Sequence, residues 1–173
     1  MGPEPSPISN ELIREGHAYW LRKRGARLMP SRADLVPDEF KLILPHVMLV
    51  DVLGPHQYRY RLIGTNCVIA HGINAAGQTL DEALKDYQYK THVIGLYDQC
   101  VRECRPLYSE SLFFKTEDTI DHHLKVLFLP LSNDGTTVSM IYVIQVIEFI
   151  AKQTRDDHFT SIKPHKEIVH AML

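Results

Sequence analysis

The side chains of this sequence whose types could do chemistry are three cysteines and ten histidines. Cys67 sits in Gly64-Thr65-Asn66-Cys67-Val68-Ile69-Ala70 and reads as a buried structural thiol. Cys100 and Cys104 stand one helical turn apart, a spacing open to redox chemistry and equally to two inert thiols on one helix face. That pair lacks the companion ligands of a zinc site. Imidazole is the commonest metal ligand and titrates near neutral pH. His92 falls in a helical stretch. His122 and His123 open a strand, where neighbouring side chains point to opposite faces, so the two rings do not share a metal. Arg59 and Arg61 share a strand face and can pair with Asp51 or Glu110 across a sheet. No nucleophile elbow, glycine-rich phosphate loop or HExxH word is present. Neither a metal site nor a catalytic residue is expected.

The elements that must position these groups are organised around the stretch 45–65. Residues 47–53 are mostly branched and apolar, and 58–63 alternate Tyr58, Tyr60 and Leu62 against Arg59 and Arg61. Joined by Gly54-Pro55-His56, they predict a hairpin that ends in Gly64-Thr65 at the mouth of a helix. Before it, Asn10 caps a helix running to about Arg24, with Leu12, Ile13, Gly16, Tyr19 and Trp20 on one stripe and Gly25 closing it. Pro37-Asp38-Glu39 opens a short helix that Pro45 stops. After the hairpin, helices are expected from Thr65 or Asn66 to Ala70, from Thr79 with a capping box to Glu82, and over 87–104. Three strands follow at 107–115, 124–131 and 138–150, the last two joined by a turn at Ser132-Asn133-Asp134-Gly135. Val126-Leu127-Phe128-Leu129 and Met140-Ile141-Tyr142-Val143-Ile144 do not alternate with polar residues, so both sheet faces must be covered there. The middle helices can cover one. The N-terminal helix, of this chain or of a second copy, can cover the other.

Length and composition bound the reading. With 173 residues, 45% of them apolar, the chain suits one domain over 10–150, a disordered lead-in over 1–9 and a polar tail over 151–173. A net charge of −2 gives no electrostatic case for nucleic acid. No apolar run approaches the roughly 20 residues that span a bilayer, and the start lacks a secretory pattern. An odd number of cysteines without metal spacing fits reduced thiols and a cytoplasmic location.

The element order, two strands, three helices and three strands behind an N-terminal helix, is the layout of a PAS domain. Trp20, Gly25, Pro30-Ser31-Arg32-Ala33-Asp34, Leu44-Pro45 and Tyr60-Arg61-Leu62-Ile63-Gly64-Thr65 resemble a PAS-variant family of proteobacteria once listed only as a domain of unknown function. Gly72 and Gly77-Gln78-Thr79-Leu80 extend the likeness, which covers about residues 10 to 150. The resemblance implies an α+β fold, a five-stranded antiparallel sheet with helices on one face plus the N-terminal helix. It implies a small signalling protein without its own output domain and with no expected cofactor. The family has no agreed ligand, so no binding residue is carried over. Haem and flavin are not expected. His92 is a lone histidine on the helix where some haem-binding PAS domains place an axial ligand, and Cys67 is followed by Val68-Ile69-Ala70 rather than the continuation found in blue-light flavin domains.

The expected function is a sensory module, not an enzyme, acting by ligand or protein binding as a homodimer with a signalling partner. A small apolar ligand between sheet and long helix would meet Tyr60, Asn66, His92, Tyr97 and Gln145 as polar anchors. Leu12, Ile13 and Trp20 are the candidate dimer surface. The alternatives are an interaction protein with a filled core, and a small cone-shaped isomerase or dehydratase using a His/Asp pair such as His123 with Asp51. The element order argues against the enzyme, because such folds keep their strands together.

Overall fold

A computed structural model describes residues 6–113, 120–151 and 165–173. The first helix, α1 (Glu11–Arg24), begins where the Asn10 side chain accepts a hydrogen bond from the Ile13 amide, and ends at Gly25 with φ +57°. A 3-10 helix over Pro37–Phe40 follows, and Pro45 lies inside a further 3-10 turn, Leu44–His46. The hairpin is β1 (Val47–Gly54) and β2 (Gln57–Ile63). Three helices come next: α2 (Thr65–His71), α3 (Leu80–Ala83) and α4 (Tyr87–Glu103). The Thr79–Glu82 capping box is present at the start of α3, and Asp86 caps α4. Gly64, rather than Thr65 or Asn66, caps α2. The chain then forms β3 (Leu107–Phe113), β4 (Ile120–Ser132), β5 (Val138–Ala151) and β6 (His165–Met172).

The sheet is antiparallel with strand order β2-β1-β5-β4-β3-β6. The expected five strands become six, because part of the region read as a polar tail pairs with β3 from Leu107↔Met172 to Phe113↔His165. An exposed edge of unpaired backbone groups is a strong acceptor for such a segment, whatever its polarity. Residues 152–164 of that tail lie outside the described residues. The lead-in is also shorter than expected. Ile8 is buried, its carbonyl accepts from Arg14, and Ser9 bonds to Tyr108 and Glu110. Residues 1–5 lie outside the described residues.

Both faces of the central strands are covered within one chain. Against one face lie α1 and the Pro37–Phe40 turn. Trp20 donates to the Pro130 carbonyl at 3.0 Å, and Phe40 packs edge-on against Tyr142 and beside Tyr19. The opposite face carries α2, α3 and α4, with the Tyr97 ring 5.0 Å from both Tyr58 and Phe128. Ile13 and Trp20 are therefore fully buried in the chain's own core, and Leu12 packs half-buried against it. This corrects the reading of Ile13 and Trp20 as a surface for a second copy, since the unalternating strands need that apolar stripe themselves.

Two further expectations change for local reasons. Leu62 does not share the Tyr58–Tyr60 face. The β1–β2 register slips between Leu49↔Leu62 and Val50↔Tyr60, leaving Arg61 as an extra bulged residue, and Leu62 is turned outward at 42% exposure. Asp51 takes both arginines, from Arg61 at 2.8 Å and Arg59 at 3.3 Å, and Glu110 takes neither.

Tyr142 carries a buried hydroxyl with no hydrogen-bond partner among the described residues. A buried polar group left unmatched costs about 1–3 kcal/mol. Tyr142→Phe is thus expected to raise stability by about 1 kcal/mol, seen as a melting temperature about 2–4 °C higher. A lower melting temperature would show that the hydroxyl has a partner.

Candidate functional site

A cavity of about 460 Å³ lies between the sheet and the short helices rather than under the middle of α4. Its floor is Met48, Tyr60, Leu124 and Ile147, one residue from each of four strands. The bulge at Arg61 also brings Ile63 to this face. Its roof comes from Ala70 and His71 of α2, Ala83 of α3 and Tyr89 of α4, with Ile73 and Ala75 from the intervening loop. Among the described residues the buried lining is apolar apart from the Tyr60 phenol, and the exposed rim carries Lys85, Asp86 and His71, with half-buried His122 beside them. Small side chains at 70, 75 and 83 make the room: three alanines stand where larger residues would fill it.

The buried phenols and thiol near this space are poor acids. Burial pushes the Tyr89 phenol up to about 12 and the Cys67 thiol up to about 12. Tyr60 is raised by burial first, and then by its neighbours Tyr89 and Cys67. At neutral pH these are uncharged hydrogen-bonding or apolar groups. Burial likewise raises the Cys100 thiol, which disfavours Cys100 itself as a thiolate nucleophile.

Of the five residues expected in the cavity, only Tyr60 lines it. Tyr60, His92, Tyr97 and Gln145 line an adjoining void of about 30 Å³, enough for one water. The aromatic stack of Tyr58, Tyr97 and Phe128 fills the rest of that space. Asn66 is exposed and bonds to His46, which in turn bonds to the Gln145 carbonyl. A carbonyl can only accept, so the His46 proton sits on Nδ1, and Nε2 accepts from Asn66. The Gln145 side chain reaches His71 at 2.9 Å, joining this chain of bonds to the cavity wall. Sequence reasoning missed Met48, His71, Ala83 and Tyr89. The alanines at 70, 75 and 83 gave no usable signal, because a small side chain does not say whether a void or a packed neighbour stands opposite it.

The two histidines at the start of β4 do point to opposite faces. His122 lines the cavity and packs edge-on against Phe149. His123 bonds to Glu110 at 3.0 Å on the α1 face, where Glu110 also accepts from Ser9 and Tyr108. Burial works to raise the Glu110 carboxyl, and the bonds from Ser9, Tyr108 and His123 outweigh it and hold the group below its usual value. The instance offered for the enzyme alternative, His123 beside Asp51, is forbidden by the register. Asp51 pairs with Met140 and His123 with Glu148, eight residues further along β5, a separation of roughly 26 Å. Among the described residues no group of three or more potential ligands is placed to hold a metal.

An antiparallel sheet ordered β2-β1-β5-β4-β3, with the second and third strands joined by helices that roof a cavity, is the architecture of a sensory domain. The chain belongs to the PAS domain family, whose model matches residues 9–145. β6 lies beyond that match. Comparison with curated proteins returns no matching relative. No helix among the described residues is long and apolar enough to cross a membrane.

Proposed function

We propose that this PAS domain is a ligand-operated signalling module that binds one small, mainly apolar molecule and catalyses nothing. The cavity of about 460 Å³ carries this reading, since its size and apolar lining are those of small-molecule sites. Its roof is tied to elements that can relay occupancy. Gly77 and Gln78 bond to the Tyr60 backbone on the β2 edge, and Asp98 of α4 accepts from Tyr58 at 2.6 Å. A ligand under α3 would shift these helices against the sheet, and with them the population of a partner-binding surface. The proposal includes a cytoplasmic homodimer, joined through a surface other than Ile13 and Trp20, and a separate signalling protein that receives the output. It includes no haem or flavin: His92 faces the void of about 30 Å³, which has no room for a macrocycle.

Native mass spectrometry and an absorbance spectrum of the freshly purified chain test the reading, followed by titration with the neutral probe N-phenyl-1-naphthylamine. One probe per chain is expected. Ala83→Phe, which fills the roof, should weaken uptake at least ten-fold and keep the melting temperature. Equal uptake by the variant, or none by either protein, would sink the proposal.

A further inference from the structure

The cavity is polarised along its depth, and that polarity specifies a class of ligand. At the buried end Met48, Ala75, Ala83 and Leu124 offer only hydrocarbon and a thioether. Among the described lining residues, the charged side chains are at the exposed end, Lys85 and Asp86, flanked by His71 and His122. The two fixed charges are not equivalent to a ligand. Asp86 turns one carboxylate oxygen onto the Tyr89 amide at 2.7 Å as the cap of α4, so its charge is partly answered by the helix end. Lys85 bonds to the Glu82 carbonyl through one of its three ammonium donors. The histidines break the balance further. An imidazole is neutral or cationic and never anionic, so protonation moves this rim only toward positive charge. Tyr89, with its phenol held in the protonated form, adds a neutral hydroxyl.

We infer that the ligand is an amphipathic organic anion, a carboxylate on an unbroken apolar body, bound with its head at Lys85, His71 and His122 and its body under α3. The inference rests on the sensory reading above and adds the head-group chemistry to it. A buried apolar body supplies affinity in proportion to the area removed from water. The carboxylate stays at the rim, where Lys85 is solvated and the cost of burying an anion is avoided. The opposite polarity, an amine head, would meet Lys85 and two groups that can only become cationic, with the helix-capping Asp86 as its counter-charge among the described lining residues.

Three ten-carbon probes that differ only in the head separate the possibilities: decanoate, decan-1-ol and decylamine, each displacing N-phenyl-1-naphthylamine from the full chain. Decanoate is expected to displace at least ten-fold better than decanol, and decylamine worst. Lys85→Glu should bring the decanoate-to-decanol ratio down toward one. Decanol equal to decanoate, or decylamine the best of the three, would overturn the anion assignment and leave the cavity reading intact. Failure of the naphthylamine probe to enter the chain at all would overturn both.

Discussion

Trp20→Ala is expected to destabilise the isolated chain by about 3–5 kcal/mol, the range for removing a large aromatic side chain from a packed core. Trp20 is fully buried, its indole N–H donates to Pro130 in β4, and the Arg24 guanidinium lies 5.5 Å from its ring. The substitution leaves a cavity between α1 and the sheet and orphans the Pro130 carbonyl together. For a chain of this length the melting temperature should fall by about 10 °C or more. Urea unfolding at two protein concentrations separates this role from an intersubunit one. A core role lowers the midpoint equally at both concentrations. A midpoint that is unchanged at low concentration and depressed only at high concentration would place Trp20 between subunits.

Gly64→Ala is the second large effect, expected to cost about 3 kcal/mol, at the upper end of ordinary overpacking. The backbone of Gly64 is unexceptional, with φ −66° and ψ 155°, so conformational freedom is not the reason for glycine. Space is. A methyl group there would lie within 2.6 Å of the Leu44 oxygen and the Pro45 carbonyl carbon, and closer still to the Pro45 oxygen. These are backbone atoms of the turn that leads into β1, and the Gly64 amide is itself held to the Val47 carbonyl at 2.7 Å. Neither side can withdraw without breaking the start of the hairpin that floors the cavity. Gly16→Ala is the control. Its new methyl would meet chiefly the end of the Ile144 side chain, which can change rotamer at about 1 kcal/mol. Denaturant titration of the two variants should rank them in that order; the reverse order would mean that the Leu44–His46 turn gives way easily.

Much of the fold was legible because its signals are local. A helix cap, a capping box and a tight turn each lie within about four residues, so the sequence carries them whole. That is why Asn10, Thr79 with Glu82, Gly25, Gly72 and the turn after Ser132 mark real boundaries. The unbroken apolar runs of β4 and β5 also announced a sheet covered on both faces, and the structure covers it on both faces. The site was less legible. The guess of polar anchors followed the long helix, where large aromatic rings close the space. The room lies instead over alanines at 70, 75 and 83, and a small side chain announces nothing about what stands opposite it.

The sequence alone thus determined the helices and strands up to β5, the α+β class and the family. Hydrogen-bonding partners close along the chain and the hydrophobic period encode these. The tertiary structure decided that α1 covers its own sheet, that a bulge at Arg61 turns Leu62 outward and Ile63 inward, and that β6 closes the β3 edge. It also decided where the cavity lies, because a void is what residues from Met48 to Ile147 fail to fill together. Such a shortfall of volume belongs to no single residue, and it exists only once distant segments have packed.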